Sequence, residues 1–473
     1  MNLGWPTRIP ANPSGHVRHS LGDGGRPGST LLKGVEFKGS LAQCPRNPHP
    51  NFPMDRLHGL LGIALILGIA FAFSNNRSRI NWRLVATGIA LQVVIALLIF
   101  KVGPVASFFQ WLGHGMEKIE QFARQGAAFV WGGLGVAMPE GRSMDFRGGG
   151  FVFAFNVTAT IILVCALVAI FYHFGIMQRI VAVIAKAMNF VMRVSGAESL
   201  SNVASAFVGQ VEAQVMIRPY LAGMTNSELL ASMSGSLACI AGGILVVYAN
   251  MGAAAGMDLA PKLITASLMA APGALVIAKI VFPETQESQT MGTVKLEVKS
   301  DYSNVIDAVS HGAADGFKIA MNVIAMLIGF IAVIACIDWL LTITGHLFNP
   351  NFDLTLNWLF GKLFYPMAWA MGVPSQDINN VATLLGQKLT INEFVAFQNL
   401  TTKAVPLVTE KGLLILSIAI CGFANFSSVG MQIGGIGALV PERRTDLAKL
   451  GLKALLCGTL ASYLSATIAG IVI

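Results

Sequence analysis

Eight stretches of this chain are apolar over the length a helix needs to cross the hydrocarbon core of a bilayer, roughly 20 residues. They are 57–73, 84–100, 151–176, 229–251, 263–282, 319–343, 413–439 and 447–473. In hydrocarbon a backbone has to satisfy its own N–H and C=O groups, and segments this long and continuously apolar do so as α-helices. The expected fold class is an all-α integral membrane protein of about eight transmembrane helices. With 54% hydrophobic and only 12% charged residues, the chain lacks the polar surface of an ordinary soluble domain. Its 50 glycines suit helices that approach closely or break within a membrane.

The net charge of +8 comes from Lys and Arg scattered among short loops, so no basic stripe marks a nucleic-acid partner. Cys165, Cys239, Cys336, Cys421 and Cys457 lie in apolar runs without CxxC spacing, which argues against a disulfide or metal framework. Arg77, Arg79 and Arg83, then Arg179, Lys186 and Arg193, then Arg443, Arg444, Lys449 and Lys453 mark three cytoplasmic segments by the positive-inside bias. Charges at helical spacing beside apolar faces predict interfacial helices at 103–130 and 177–194, with a third candidate at 350–372. Residues 1–53 are rich in Gly, Pro, Arg and Asn and have no apolar run; they read as a disordered or spurious extension, with the chain starting in effect at Met54. If translocated, their six Lys and Arg against two acids would oppose the topology.

Two segments are too polar to span and long enough to enter and return, 198–222 and 378–405. "VASAFVGQVEAQV" (203–215) is echoed by "VATLLGQKLTINEFVAF" (381–397): an apolar lead-in, a Gly-Gln pair, a glutamate, then apolar residues. Each is followed by a span interrupted by small residues, "SGSLACIAGG" (234–243) and "CGFANFSSVG" (421–430). Paired interruptions at corresponding places characterise inverted-repeat transporters, whose half-helix ends line a midplane cavity. The segments therefore read as two re-entrant hairpins with Glu212 and Glu393 near their tips, where an ionisable residue marks a substrate or ion pathway. A channel, or an intramembrane enzyme using those two glutamates as acid and base, is the alternative. No zinc pattern, nucleophile elbow or phosphate loop supports an enzyme, and a channel has no need of an occluding pair of hairpins.

The stretches 198–229, 381–397 and 421–451 together resemble the concentrative nucleoside transporters, and the resemblance extends over about Met54 to Ile473. It implies a secondary active importer of nucleosides in a bacterial cytoplasmic membrane, a cation symporter without catalytic residues, built as a homotrimer whose transport region moves like an elevator. The implied parts are a scaffold region over 54–176, a first transport repeat over 177–282, a loop and scaffold helix over 283–345, and a second transport repeat over 346–473. In that family the first hairpin contacts the base and the second, with its broken helix, holds the ribose. By resemblance Gln210, Val211 and Glu212 face the base with Phe423 nearby, and Glu393, Asn425 and Ser428 hold the ribose. Carboxylates and amides suit such a ligand, because they bond ribose hydroxyls and read a base edge with both donor and acceptor.

Two departures from the family pattern matter. Where relatives read Gly-Gln-Thr-Glu-Ala-Pro, this chain reads Gly209, Gln210, Val211, Glu212, Ala213, Gln214. Val211 lacks the hydroxyl, which leaves the base preference open. At the sodium site of the family an Asn and a hydroxyl residue are replaced by Ser205 and Cys239, beside Val208 and Ile240, which offer only carbonyls. A thiol is a poor ligand for a hard cation, whereas a carboxylate out of water takes up a proton more readily. Proton coupling is expected, with sodium as the alternative.

Overall fold

The computed structural model describes residues 54–132, 153–290, 302–349 and 353–473, and among them every regular element is helical. The expectation for 1–53 lies outside the described residues.

α1 (Met54–Ala72) and α2 (Trp82–Lys101) are joined by a short polar turn in which Arg77 donates to the carbonyls of Phe71 and Ala72 at 3.3 and 3.1 Å, closing the end of α1. Asn81 caps α2 by accepting the Leu84 N–H. α3 (Gly103–Trp131) covers the first segment expected at the interface; it is mostly exposed and packs part of its surface against α2, α4 (Phe153–His173) and helices further along. α5 (Ile176–Met192) leaves α4 at 77°. Gly175 makes that corner at φ 68°, a left-handed conformation that costs glycine little. Val181, Ala185, Met188 and Met192 line the buried face of α5 while Val183 and Phe190 are exposed, the amphipathic pattern expected of 177–194.

The first hairpin is α6 (Gly196–Ser205), a reversal, and the short helices α7 (Glu212–Val215) and α8 (Arg218–Leu221). α9 (Asn226–Ala238) follows; the helix breaks at Cys239 to Ala241 and resumes as α10 (Gly242–Ala254), then α11 (Ala260–Val281). α12 (Val305–Phe348) runs for 44 residues along α4. It starts well before the apolar run at 319, because Asn304 caps it by accepting the Asp307 N–H at 3.0 Å and the polar first turns remain helical. After α13 (Leu356–Leu363) and α14 (Tyr365–Ala370), the second hairpin is α15 (Ile378–Thr390) and α16 (Glu393–Thr401). The second broken helix is α17 (Glu410–Ile420) with α18 (Phe426–Leu439), and α19 (Arg444–Val472) ends the chain. α2, α9 with α10, α11, and α19 with its preceding turn are each long and apolar enough to cross a membrane, and α1, α12 and α18 carry shorter apolar stretches.

The two repeats correspond in detail. Thr225 caps α9 and Thr409 caps α17, each after a hairpin. The feet of each hairpin are tied together or to their neighbours. Arg443 donates to the Met224 carbonyl at 2.7 Å and to Asn226 Oδ1 at 2.9 Å, and the carboxylate of Asp377 accepts the N–H groups of Val408 and Thr409 at 2.8 and 3.0 Å. Glu198 of α6 forms a buried ion pair with Lys279 of α11. The breaks of the two spans meet: Phe423 N–H donates to the Cys239 carbonyl at 3.2 Å. Gly422 permits this approach, since a Cβ there would stand 2.3 Å from the Ala238 carbonyl oxygen.

Candidate functional site

The site is organised along one face of α18. Asn425, its N-cap, accepts the Ser428 N–H at 2.8 Å through Oδ1, which satisfies an otherwise free donor of the first turn. Its Nδ2 is then left to donate to Glu393 Oε2 at 2.9 Å. Glu393 opens α16 behind the cap Asn392, so its charge sits where the helix dipole favours an anion. Its other oxygen accepts the Tyr248 hydroxyl of α10 at 3.3 Å. A carboxylate offers about four lone-pair sites, and these neutral donors leave acceptor capacity at a group only 7% exposed. Beside it, the Ser428 hydroxyl is buried and has no partner among the described residues. A buried polar group left unpaired is costly, so this end of the face is suited to a ligand bearing hydroxyls.

One turn and more along α18, Gln432 donates to the Met233 carbonyl at 3.2 Å and reaches Gln210 Oε1 at 3.5 Å. Gln210 Nε2 stands 3.9 Å from the Met431 sulfur, and Val211 packs against Gly435. The Gln432 Oε1 is buried without a partner among the described residues. Asn425 and Gln432 are seven residues apart, roughly 10 Å of helix rise. The Glu393 carboxylate and the Gln210 amide thus stand at two ends of one helix face, with an acceptor-rich end and an amide end.

Of the residues expected in the site, the structure brings Gln210, Val211, Glu393, Asn425 and Ser428 to this face. Phe423 is half-buried at the break of the second span. Glu212 is exposed at the start of α7, its carboxylate folded over Gly209. Ser205, Val208, Cys239 and Ile240 are all buried where the end of α6 meets the break after α9. There Gly242 N–H donates to the Phe207 carbonyl at 3.2 Å and the Cys239 thiol lies 3.9 Å from the Asn202 carbonyl. Among the described residues no group of three or more His, Cys, Asp or Glu could hold a metal ion.

Sequence reading missed Gln432, Met431, Tyr248 and Lys388. Gln432 had a signal, a polar residue seven positions after Asn425 in an otherwise apolar helix. Tyr248 had none, because its partner is 145 residues away. Lys388 is fully buried five residues before Glu393, its ammonium without a hydrogen-bond partner among the described residues.

Three family models match the chain. Residues 61–134 match the N-terminus of the Na+ dependent nucleoside transporters, residues 154–255 a model for nucleoside recognition, and residues 262–470 the C-terminus of the Na+ dependent nucleoside transporters. The chain is 39% identical over 421 residues to the uncharacterized transporter YutK of Bacillus subtilis, covering 89% of this chain and 100% of that protein. It is 36% identical over 421 residues to the nucleoside permease NupC of Helicobacter pylori, covering 88% of this chain and 98% of that one. The solved structure of CNTnw in an inward-facing, substrate-bound state matches with a TM-score of 0.81 at 39% identity, covering 89% of this chain and 98% of that one. A structure of the same protein with two substitutions, in an outward-facing state, matches equally well.

Proposed function

Since the chain belongs to the Na+ dependent, or concentrative, nucleoside transporter family, we propose that it imports nucleosides across the bacterial inner membrane by proton symport. The family is one of multi-pass membrane transporters and not of enzymes. A solved member, CNTnw, in inward- and outward-facing states supports alternating access. The carrying observation is the Glu393 carboxylate, buried, held by Asn425 and Tyr248, and placed on the same α18 face as Gln210. On this reading Glu393, Asn425 and Ser428 take the ribose hydroxyls, while Gln210 and Val211, with Gln432 behind them, meet the base. The hairpins and broken helices move as one body past a trimeric scaffold formed by the remaining helices, in the manner of an elevator. Glu212, exposed at the start of α7, would contact the base from the tip of its hairpin.

Proton coupling is supported by the chemistry of Ser205 and Cys239. Ser205 Oγ is already engaged by Ser201 and Ser236, and a thiol is a weak partner for sodium. The second reading, sodium symport, is favoured by the description of the matching family models. Labelled uridine and adenosine uptake into proteoliposomes tests the whole reading. Accumulation above equilibrium, driven by an imposed ion gradient, is the expected result, and simple equilibration would point to a channel.

A further inference from the structure

Between hairpin 1 and α9 runs a chain of hydrogen bonds in which the direction of every proton is determined. Ser205 Oγ donates to the Ser201 carbonyl at 2.7 Å, so in its 2.8 Å contact with Ser236 Oγ it accepts and Ser236 donates. Ser236 Oγ in turn accepts from Gln214 Nε2 at 2.8 Å, and Gln214 Oε1 accepts from Ser232 Oγ at 2.7 Å. All of these side chains are fully buried or nearly so. Ser232 and Ser236 stand one turn apart on α9, Ser201 and Ser205 one turn apart on α6, and Gln214 joins them from α7. The middle position needs a side chain that accepts at one atom and donates at another, which a neutral amide does and a carboxylate or ammonium does not.

α7 has four residues, and its N-cap Val211 makes no capping bond. A helix that short has no stability of its own. What holds it is tertiary, and Gln214 is the buried polar anchor; Gln210 and Val211 directly precede it. We propose that Gln214 is a positioning residue that closes hairpin 1 onto the first half of the broken span, without a bound cation, and thereby sets the affinity for nucleoside. The effect on affinity rests on the reading of Gln210 and Val211 as substrate-facing; the closing of the hairpin does not. Closing needs no cation because Ser205 passes its proton to a carbonyl and receives one from Ser236, which completes the chain with neutral groups.

The test combines amide hydrogen exchange and uridine uptake on the full-length protein in lipid. Gln214→Leu and Ser236→Ala should each speed exchange over 206–217 by about tenfold, the scale of one or two buried hydrogen bonds, and leave 378–401 unchanged. Ser236→Thr keeps the hydroxyl and should retain wild-type exchange, which separates the network from mere packing. The KM for uridine should rise about tenfold in the two disrupted variants, with the maximal rate kept within about twofold. In the wild type, exchange over 206–217 should be the same in sodium chloride and in choline chloride. Slower exchange in sodium, or unchanged exchange in both Gln214→Leu and Ser236→Ala, overturns the proposal. A wild-type protein that accumulates no uridine while the variants show the faster exchange would remove the transport reading and leave Gln214 as the residue that closes the hairpin.

Discussion

Asn425 Nδ2 lies 2.9 Å from Glu393 Oε2, which joins the N-terminus of α18 to that of α16 across 32 residues of sequence. Two helix starts converge there, each presenting free N–H groups and a partial positive charge. One buried carboxylate between them is stabilised by both, and Asn425 serves as cap and as donor at once. Loosening either residue loosens the other, because the amide that closes the first turn of α18 is also the one that orients Glu393.

Glu393→Gln keeps the shape and removes the charge. Hydrogen bonds to a charged acceptor contribute about 1.5 to 3 kcal/mol, so nucleoside affinity should fall more than tenfold and uptake should nearly vanish. Wild-type rate and affinity in this variant would place Glu393 outside the site.

Tyr248→Phe removes a single neutral donor from the same carboxylate, at 3.3 Å. The loss should be smaller than for Glu393→Gln, a KM raised by about threefold to tenfold. A variant as impaired as Glu393→Gln would mean that the hydroxyl touches substrate directly.

At the amide end, Val211→Thr restores a hydroxyl without changing the volume, and Gln432→Leu removes the buried amide whose oxygen has no partner among the described residues. Both should shift the ratio of uridine to adenosine uptake while leaving dependence on the ribose hydroxyls intact. Identical ratios in wild type and both variants, measured with 2′-deoxy and ribose substrates, would remove these residues from base recognition.

The coupling ion is separable in vesicles. An inward proton gradient without sodium should drive accumulation of uridine, and an inward sodium gradient at equal pH should not. Accumulation under the second condition alone would show that the carbonyls of Val208 and Ile240 suffice for sodium despite Ser205 and Cys239.

Where the broken spans meet, Gly422→Ala should destabilise the protein by about 1 to 3 kcal/mol, since the added methyl would stand 2.3 Å from the Ala238 carbonyl oxygen. A lowered thermal midpoint with unchanged expression is the expected readout. Unaltered stability would mean that the Phe423 to Cys239 contact is not maintained in the membrane.

Hydrophobic length and local chemistry are properties of contiguous residues, and these the sequence determined by itself: the apolar spans, both hairpins, and the interruptions over 234–243 and 421–430. The echo between 203–215 and 381–397 disclosed the repeat for the same reason, since both copies had to solve the same backbone problem. What only the tertiary structure decided is direction and partnership. Glu212 and Glu393 look alike in sequence, yet one opens a four-residue helix and is exposed while the other is buried between two helix starts. Tyr248, Gln432 and Gln214 reach partners on other elements, and no periodicity within a single helix reports where such a side chain ends. The packing of α3 against α2, α4, α10 and α11 was likewise settled by neighbours, because a mixed segment that exposes most of its length does not report from its own residues which helices its remaining face meets.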